Sequence, residues 1–144
     1  MLLGEYEHTI DDKNRLTLPA RFRQSFSDGV VVTRGIDPCL DVHTRGGWDD
    51  FVRSRLQGLD RFSSEARQMR RYLFSAGVEA ELDKQGRVTL PAGLMKKVGL
   101  GRDVVVAGVG EYLEVWDRSA WAAQIADVEG RAESVAESLA TRES

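Results

Sequence analysis

The sequence predicts an α+β protein, mainly β in its core, built as two similar halves in tandem with helices outside. Three observations carry that prediction. Residues 11–20 read Asp-Asp-Lys-Asn-Arg-Leu-Thr-Leu-Pro-Ala and residues 83–92 read Asp-Lys-Gln-Gly-Arg-Val-Thr-Leu-Pro-Ala, so the frame Asp-x-x-x-Arg-x-Thr-Leu-Pro-Ala occurs twice. The likeness continues in order: Val30-Val31-Val32 has a counterpart in Val104-Val105-Val106, Leu40-Asp41-Val42 in Leu113-Glu114-Val115, and Arg45 and Trp48 in Arg118 and Trp121. Between and after the copies, apolar residues recur at helical rather than alternating spacing. A half of roughly 45 residues buries too little apolar surface to stand alone, so the two halves share one core. The expected division is a first half-repeat at 1–47, connecting helices at 48–77, a second half-repeat at 78–117, and a C-terminal helix with an acidic tail at 118–144.

The elements follow from local chemistry. Glu5-Tyr6-Glu7-His8-Thr9-Ile10 alternates as a strand does. Asp11-Asp12-Lys13-Asn14 is rich in turn formers, and the second copy places Gly86 where the first has Asn14. Both residue types tolerate positive φ, so a left-handed residue is expected in both turns. Asp11 and Asp83 are expected as structural acceptors for turn amides. In Arg15-Leu16-Thr17-Leu18 the two leucines point one way and Arg15 and Thr17 the other, giving strand, turn, strand: a hairpin or loop connection. Pro19 and Pro91 stop these strands and suit the first turn of a short helix, which Gly29 and Gly99 then end. Val-rich strands follow, with Gly108-Val109-Gly110 expected as the turn before the last strand. Gly47-Trp48-Asp49-Asp50 is expected to open a helix with acids in its first turn, and Ser63-Ser64-Glu65-Ala66 to open another. Trp121, Ile125, Val128, Ala132, Val135 and Leu139 form one apolar stripe on a terminal helix, most simply packed on the protein's own core, which Gly130 weakens or breaks.

Composition narrows the function. The 144 residues contain no apolar run long enough to cross a bilayer, and the acidic start lacks a signal-peptide pattern, so a cytoplasmic protein is expected. The single Cys39 permits no internal disulfide and fits a reducing compartment. Residues 111–144 hold eight acids against three arginines, a balance of −5 within a whole-chain −3, which leaves +2 on the remainder. A weakly positive body can bind DNA if its cations share a face. His8, His43 and Cys39 show no metal-ligand spacing, the Gly-x-Gly pairs at 99–101 and 108–110 fail the dinucleotide fingerprint, and nothing marks a nucleophile elbow. No metal, cofactor, small-molecule site or enzymatic activity is therefore expected.

Two readings of the paired arginines stand side by side. Arg15 and Arg87 either reach a phosphate or base edge from the polar face of a strand, or each pairs with its own Asp11 or Asp83 and staples the turn. Lys13, Lys84 and Asn14 sit at the turn tips beside them, where a role on DNA is plausible chemistry. The basic run Arg67-Gln68-Met69-Arg70-Arg71 reads as a solvated helix face or an intersubunit ion-pair surface.

These residues resemble the MraZ family of bacterial transcriptional regulators across essentially the whole chain, most specifically in Asp11…Arg15 and Asp83…Arg87, each followed by Leu-Pro-Ala. More distantly, each half is similar to the AbrB-type swapped-hairpin DNA-binding domain. The resemblance implies an interleaved β-barrel formed by both halves, with helices outside. It also implies a ring-shaped homo-oligomer, associated with the nucleoid, that binds short direct repeats in double-stranded DNA ahead of the cell-division and cell-wall gene cluster it heads. By position, the family's DNA-contacting arginines fall on Arg15 and Arg87, with Lys13, Lys84 and Asn14 beside them. The resemblance leaves the acidic tail beyond Gly130 without a role. The alternatives are a protein-interaction module on the same barrel, which an exposed terminal helix would favour, and an RNA-binding protein, which the lack of stacking aromatics beside the arginines opposes.

Overall fold

The structure, a computed structural model, describes residues 1–143; Ser144, the last residue of the expected 118–144 segment, lies outside the described residues. It is α+β, as the sequence predicts. Strands β1 (Leu2–Thr9), β3 (Val30–Arg34), β4 (Leu40–Thr44), β5 (Val78–Ala80), β7 (Asp103–Gly110) and β8 (Leu113–Asp117) form one antiparallel sheet in the order β1-β7-β8-β4-β3-β5. Strands β2 (Arg15–Thr17) and β6 (Arg87–Thr89) form a separate two-stranded ribbon. Helices α1 (Ala20–Arg23, prolonged by a 3-10 turn at Gln24–Phe26), α2 (Arg45–Phe51, prolonged by a π turn at Val52–Leu56), α3 (Ser64–Phe74), α4 (Ala92–Val98) and α5 (Arg118–Glu143) complete the described chain.

The halves interleave. β1, from the start of the chain, pairs with β7 from the second half over eight residue pairs, and β2 pairs with β6 through Arg15↔Thr89, Leu16↔Val88 and Thr17↔Arg87. Neither β2 nor β6 pairs with the strand that precedes its own turn, so the strand-turn-strand pattern is not a local hairpin. The expected barrel is not closed by hydrogen bonds either: β1 and β5 are the sheet's free edges. The ribbon lies over the sheet instead. Leu16, Leu18, Val88 and Leu90 are buried in one cluster with Val30, Val32, Leu40, Val42, Val104, Val106, Leu113 and Val115, the residues that alternation directs to the inner face.

The outer face is covered by α2 and α3. Thr44 caps α2, its Oγ1 accepting from Gly47 N at 2.9 Å, so that helix begins at Arg45 rather than at Gly47, and Asp49 and Asp50 fall past its first turn. Trp48 and Phe51 of α2 pack with Tyr112 around buried His43, at ring separations of 5.2, 5.9 and 4.8 Å respectively. Ser63 caps α3, and the Thr33 hydroxyl donates to Leu73 O at 2.9 Å. Gly108-Val109-Gly110 is not a turn but the end of β7. A Cβ on Gly108 would lie 2.6 Å from the Leu2 and Leu3 backbone, so glycine there admits β1, and the reversal comes at Glu111 and Tyr112.

α5 runs unbroken through Gly130. Its first turns rest on the sheet, where Trp121 packs edge-on to Trp116 at 5.8 Å and donates to Glu5 Oε2. Beyond that the helix leaves the body, so the expected stripe does not pack on the core along its length.

Candidate nucleic-acid interface

Each copy of the motif closes the same turn in the same way. Asp11 Oδ1 accepts from the amides of Lys13 (3.0 Å) and Arg15 (2.8 Å), and Oδ2 accepts from Arg15 Nε at 2.7 Å. Asp83 Oδ1 accepts from the amides of Gln85 (2.9 Å) and Arg87 (2.9 Å), and Oδ2 from Arg87 Nε at 2.7 Å. The Arg15 amide and guanidinium hold the Asp11 carboxyl below its ordinary range, and Arg87 does the same to Asp83. Asn14 takes φ 61° and Gly86 φ 76°, and Asn14 is the one non-glycine at positive φ among the described residues. Glycine at 86 has a second reason: a Cβ there would lie 2.3 Å from Arg23 Nε, which donates to Leu18 O at 3.0 Å.

The two turns lie at opposite ends of the ribbon, and each is locked by the other half. Leu90 N donates to Asn14 O at 2.7 Å, and Leu18 N to Gly86 O at 2.9 Å. Pairing and alternation together put Arg15, Thr17, Arg87 and Thr89 on one face of the ribbon and fully buried Leu16 and Val88 on the other. Arg15 and Arg87 are diagonal neighbours across the strands, a geometry that sets such residues about 7–8 Å apart. Both arginines are bound through Nε alone, and their Nη atoms engage no other group among the described residues. The aspartate therefore orients a fork whose outer edge is left open, so stapling the turn does not use up the guanidinium's donors.

Lys13 and Lys84 are exposed at the turns, and neither ammonium engages another group among the described residues. Asn14 is not free in the same sense: its Oδ1 accepts from Arg102 Nη1 at 2.8 Å, and the same nitrogen donates to Asp11 O at 2.7 Å. Arg102 and Arg23 thus brace the two turns, and reading the motif alone missed both. A signal was present for Arg102. Aligned through Val30 and Val104, it faces Asp28 in the first half, a reversal of charge between the copies.

Elsewhere, Cys39, Asp41 and Glu114 bring a thiol and two carboxylates within 4.8 Å on the outer face. Burial pushes the Cys39 thiol pKa far up, and it donates to Asp41 Oδ1 at 3.7 Å. In the basic run, Arg67 donates to Arg61 O and Phe62 O, and Arg70 to Leu56 O; these arginines tie α3 to the loop before it and to the end of the π turn. No helix among the described residues is long and apolar enough to cross a membrane.

A family model described as MraZ protein, antitoxin-like, matches the chain twice, over residues 1–72 and 73–142. The chain is 44% identical to the "Transcriptional regulator MraZ" of Roseiflexus castenholzii, covering 97% of each sequence. It is 48% identical to the protein of that name from Limosilactobacillus fermentum over 85% of each, and 41% identical to that from Moorella thermoacetica over 96% of each. These relatives carry the name of a regulator, not of an enzyme.

Proposed function

The chain belongs to the MraZ family, and on that premise we propose that it is a cytoplasmic, non-enzymatic, DNA-binding transcriptional regulator whose reading surface is the β2–β6 ribbon. The observation that carries this is the common face of Arg15 and Arg87, each aimed by its own aspartate with an open Nη edge. An open guanidinium edge is the donor pair that takes guanine O6 and N7, or a phosphate, in bidentate fashion. A two-stranded ribbon fits the major groove, and a diagonal spacing of about 7–8 Å spans about two base steps of roughly 3.4 Å. Because each arginine is matched by an aspartate, the pair adds little net charge, and Lys13, Lys84 and Arg102 supply the excess that neutralises phosphates. Asn14 lies at the same surface and offers its remaining amide hydrogens.

In this reading residues 1–47 and 78–117 are the two half-repeats, and neither makes the surface without the other. One chain offers few contacts. A ring-shaped homo-oligomer on short direct repeats multiplies them through effective concentration, and a rotational array matches direct repeats better than palindromes. The expected operator lies in the promoter of the cell-division and cell-wall gene cluster, which places the protein at the nucleoid.

The test is fluorescence anisotropy on the DNA just upstream of the gene against scrambled DNA of equal length, for the wild type and Arg15→Ala/Arg87→Ala, at two salt concentrations. Tight, salt-sensitive and selective binding, lost in a double variant that keeps its circular dichroism, is the expected result. Equal or absent binding to both DNAs would favour the protein-interaction module instead, with the arginines demoted to turn staples, and an unfolded double variant would support the staple role.

A further inference from the structure

The outward face of the ribbon holds four side chains, and only two of them are charged. Arg15 is paired directly with Thr89, and Thr17 directly with Arg87. Arginine and threonine therefore alternate in a two-by-two array, with the arginines on one diagonal and the threonines on the other. Both motifs read Arg-x-Thr, although the buried residue between changes from Leu16 to Val88. Those two buried side chains fix the ribbon against the core, so the threonines stay on the outward face. Thr17 is half-buried and Thr89 exposed, and neither hydroxyl bonds to another group among the described residues.

We infer, resting on the ribbon as the reading surface proposed above, that Thr17 and Thr89 determine sequence specificity, their methyl groups contacting thymine C5 methyls beside the bases that Arg87 and Arg15 take. Chemistry selects this role. A guanidinium only donates, so it suits guanine O6 and N7 but recognises neither an amino group nor a methyl. A threonine hydroxyl both donates and accepts, so it discriminates little between base edges. Its methyl is selective, because thymine alone of the four bases presents a methyl in the major groove. Position agrees. Directly opposite residues lie about 4.5–5.5 Å apart, between one and two base steps of roughly 3.4 Å. Each threonine thus falls beside the base taken by the arginine that faces it.

The experiment measures anisotropy on the upstream duplex in two forms, one with thymine and one with deoxyuridine at every thymine position, which removes only the C5 methyl. Scrambled DNA of equal length is the reference. The proteins are the wild type, Thr17→Ser/Thr89→Ser, which loses the methyls and keeps the hydroxyls, and Thr17→Val/Thr89→Val, which does the reverse. The wild type should bind the thymine form at least about fourfold more tightly, the effect of burying one methyl. The serine variant should bind both forms equally and still prefer them to scrambled DNA through its arginines. The valine variant should keep the preference for thymine. Equal binding of both forms by the wild type would overturn the inference while leaving the arginines as readers, and this comparison stands whether or not the variants fold. Loss of the thymine preference in the valine variant but not the serine variant would assign the reading to the hydroxyls and overturn the methyl contact. A wild type that does not distinguish the upstream duplex from scrambled DNA would remove the ribbon reading itself, and the threonine role with it.

Discussion

Stability should depend little on pH between about 4 and 6.5 because two buried groups oppose each other, and a single substitution at either should expose the other. His43 is buried among Trp48, Phe51 and Tyr112, and burial holds its pKa down at about 4. Asp41, two residues away on the same face of β4, is pushed up to about 7 by burial, with Glu114 and Asp37 adding to the effect and the Cys39 hydrogen bond opposing it. In the unfolded chain the imidazole titrates near 6.5 and the carboxyl near 3.8. The His43 contribution is thus present above 6.5 and lost as pH falls through 4; the Asp41 contribution is present below 3.8 and lost as pH rises through 7. At 1.36 kcal/mol per pKa unit these are on the order of 3 kcal/mol for His43 and 4 kcal/mol for Asp41, of opposite sign over nearly the same range. Asp41→Asn should therefore gain stability with rising pH between 4 and 6.5. His43→Phe, which keeps an aromatic ring in the cluster, should lose stability with rising pH between 4 and 7. Urea unfolding followed by tryptophan fluorescence from pH 4 to 8 gives the three profiles. Parallel profiles for the wild type and both variants would refute the argument, because the slopes must then come from groups elsewhere.

Three further outcomes follow from the ribbon and from α5. Arg15→Lys or Arg87→Lys keeps the charge but loses the fork, so anisotropy should show an unchanged salt slope and a loss of sequence discrimination of about 1–3 kcal/mol, roughly 5- to 150-fold; Lys13→Ala should instead lower the slope by about 0.9 with discrimination intact. Gly86→Ala should destabilise by at least about 1–2 kcal/mol for its left-handed backbone, with the Arg23 clash added, whereas Asn14→Gly should cost much less; paired urea melts compare them. Gly130→Ala meets nothing within 4 Å and should stabilise α5 by up to about 1 kcal/mol, read as increased helicity and thermal midpoint.

How far the fold could be read in advance depended on the range of the interaction. Turn chemistry is local, so positive φ at Asn14 and Gly86 and the caps at Ser63 and Gly99 follow from residue type. Helix starts were less legible. Arg45 and Thr44 compete with Gly47 for the first turn, and the Thr44 hydroxyl wins because its bond to the Gly47 amide closes the cap. Pairing was legible only through the family resemblance, which implied interleaved halves: nothing in Arg15-Leu16-Thr17 itself says that its partner is 72 residues away rather than across its own turn. Gly108 shows the same limit, since its reason is the backbone of β1 from the far end of the chain. At the site, the motif gave the arginines and their aspartates but not the face they share, which needs the ribbon register, nor the braces Arg102 and Arg23. The α5 stripe was visible as periodicity, but whether a stripe is covered is a property of the folded body.

The ribbon has one strand from each half, and the halves are no longer copies. One turn holds Asn14 braced by Arg102, the other Gly86 crossed by Arg23; one strand buries Leu16, the other Val88. Two identical subunits would make a surface that looks the same after a half-turn. This single chain makes one with a front and a back, so whatever lies along it is met in a defined orientation, and exchanging the two motifs would reverse that polarity without changing the list of contacts.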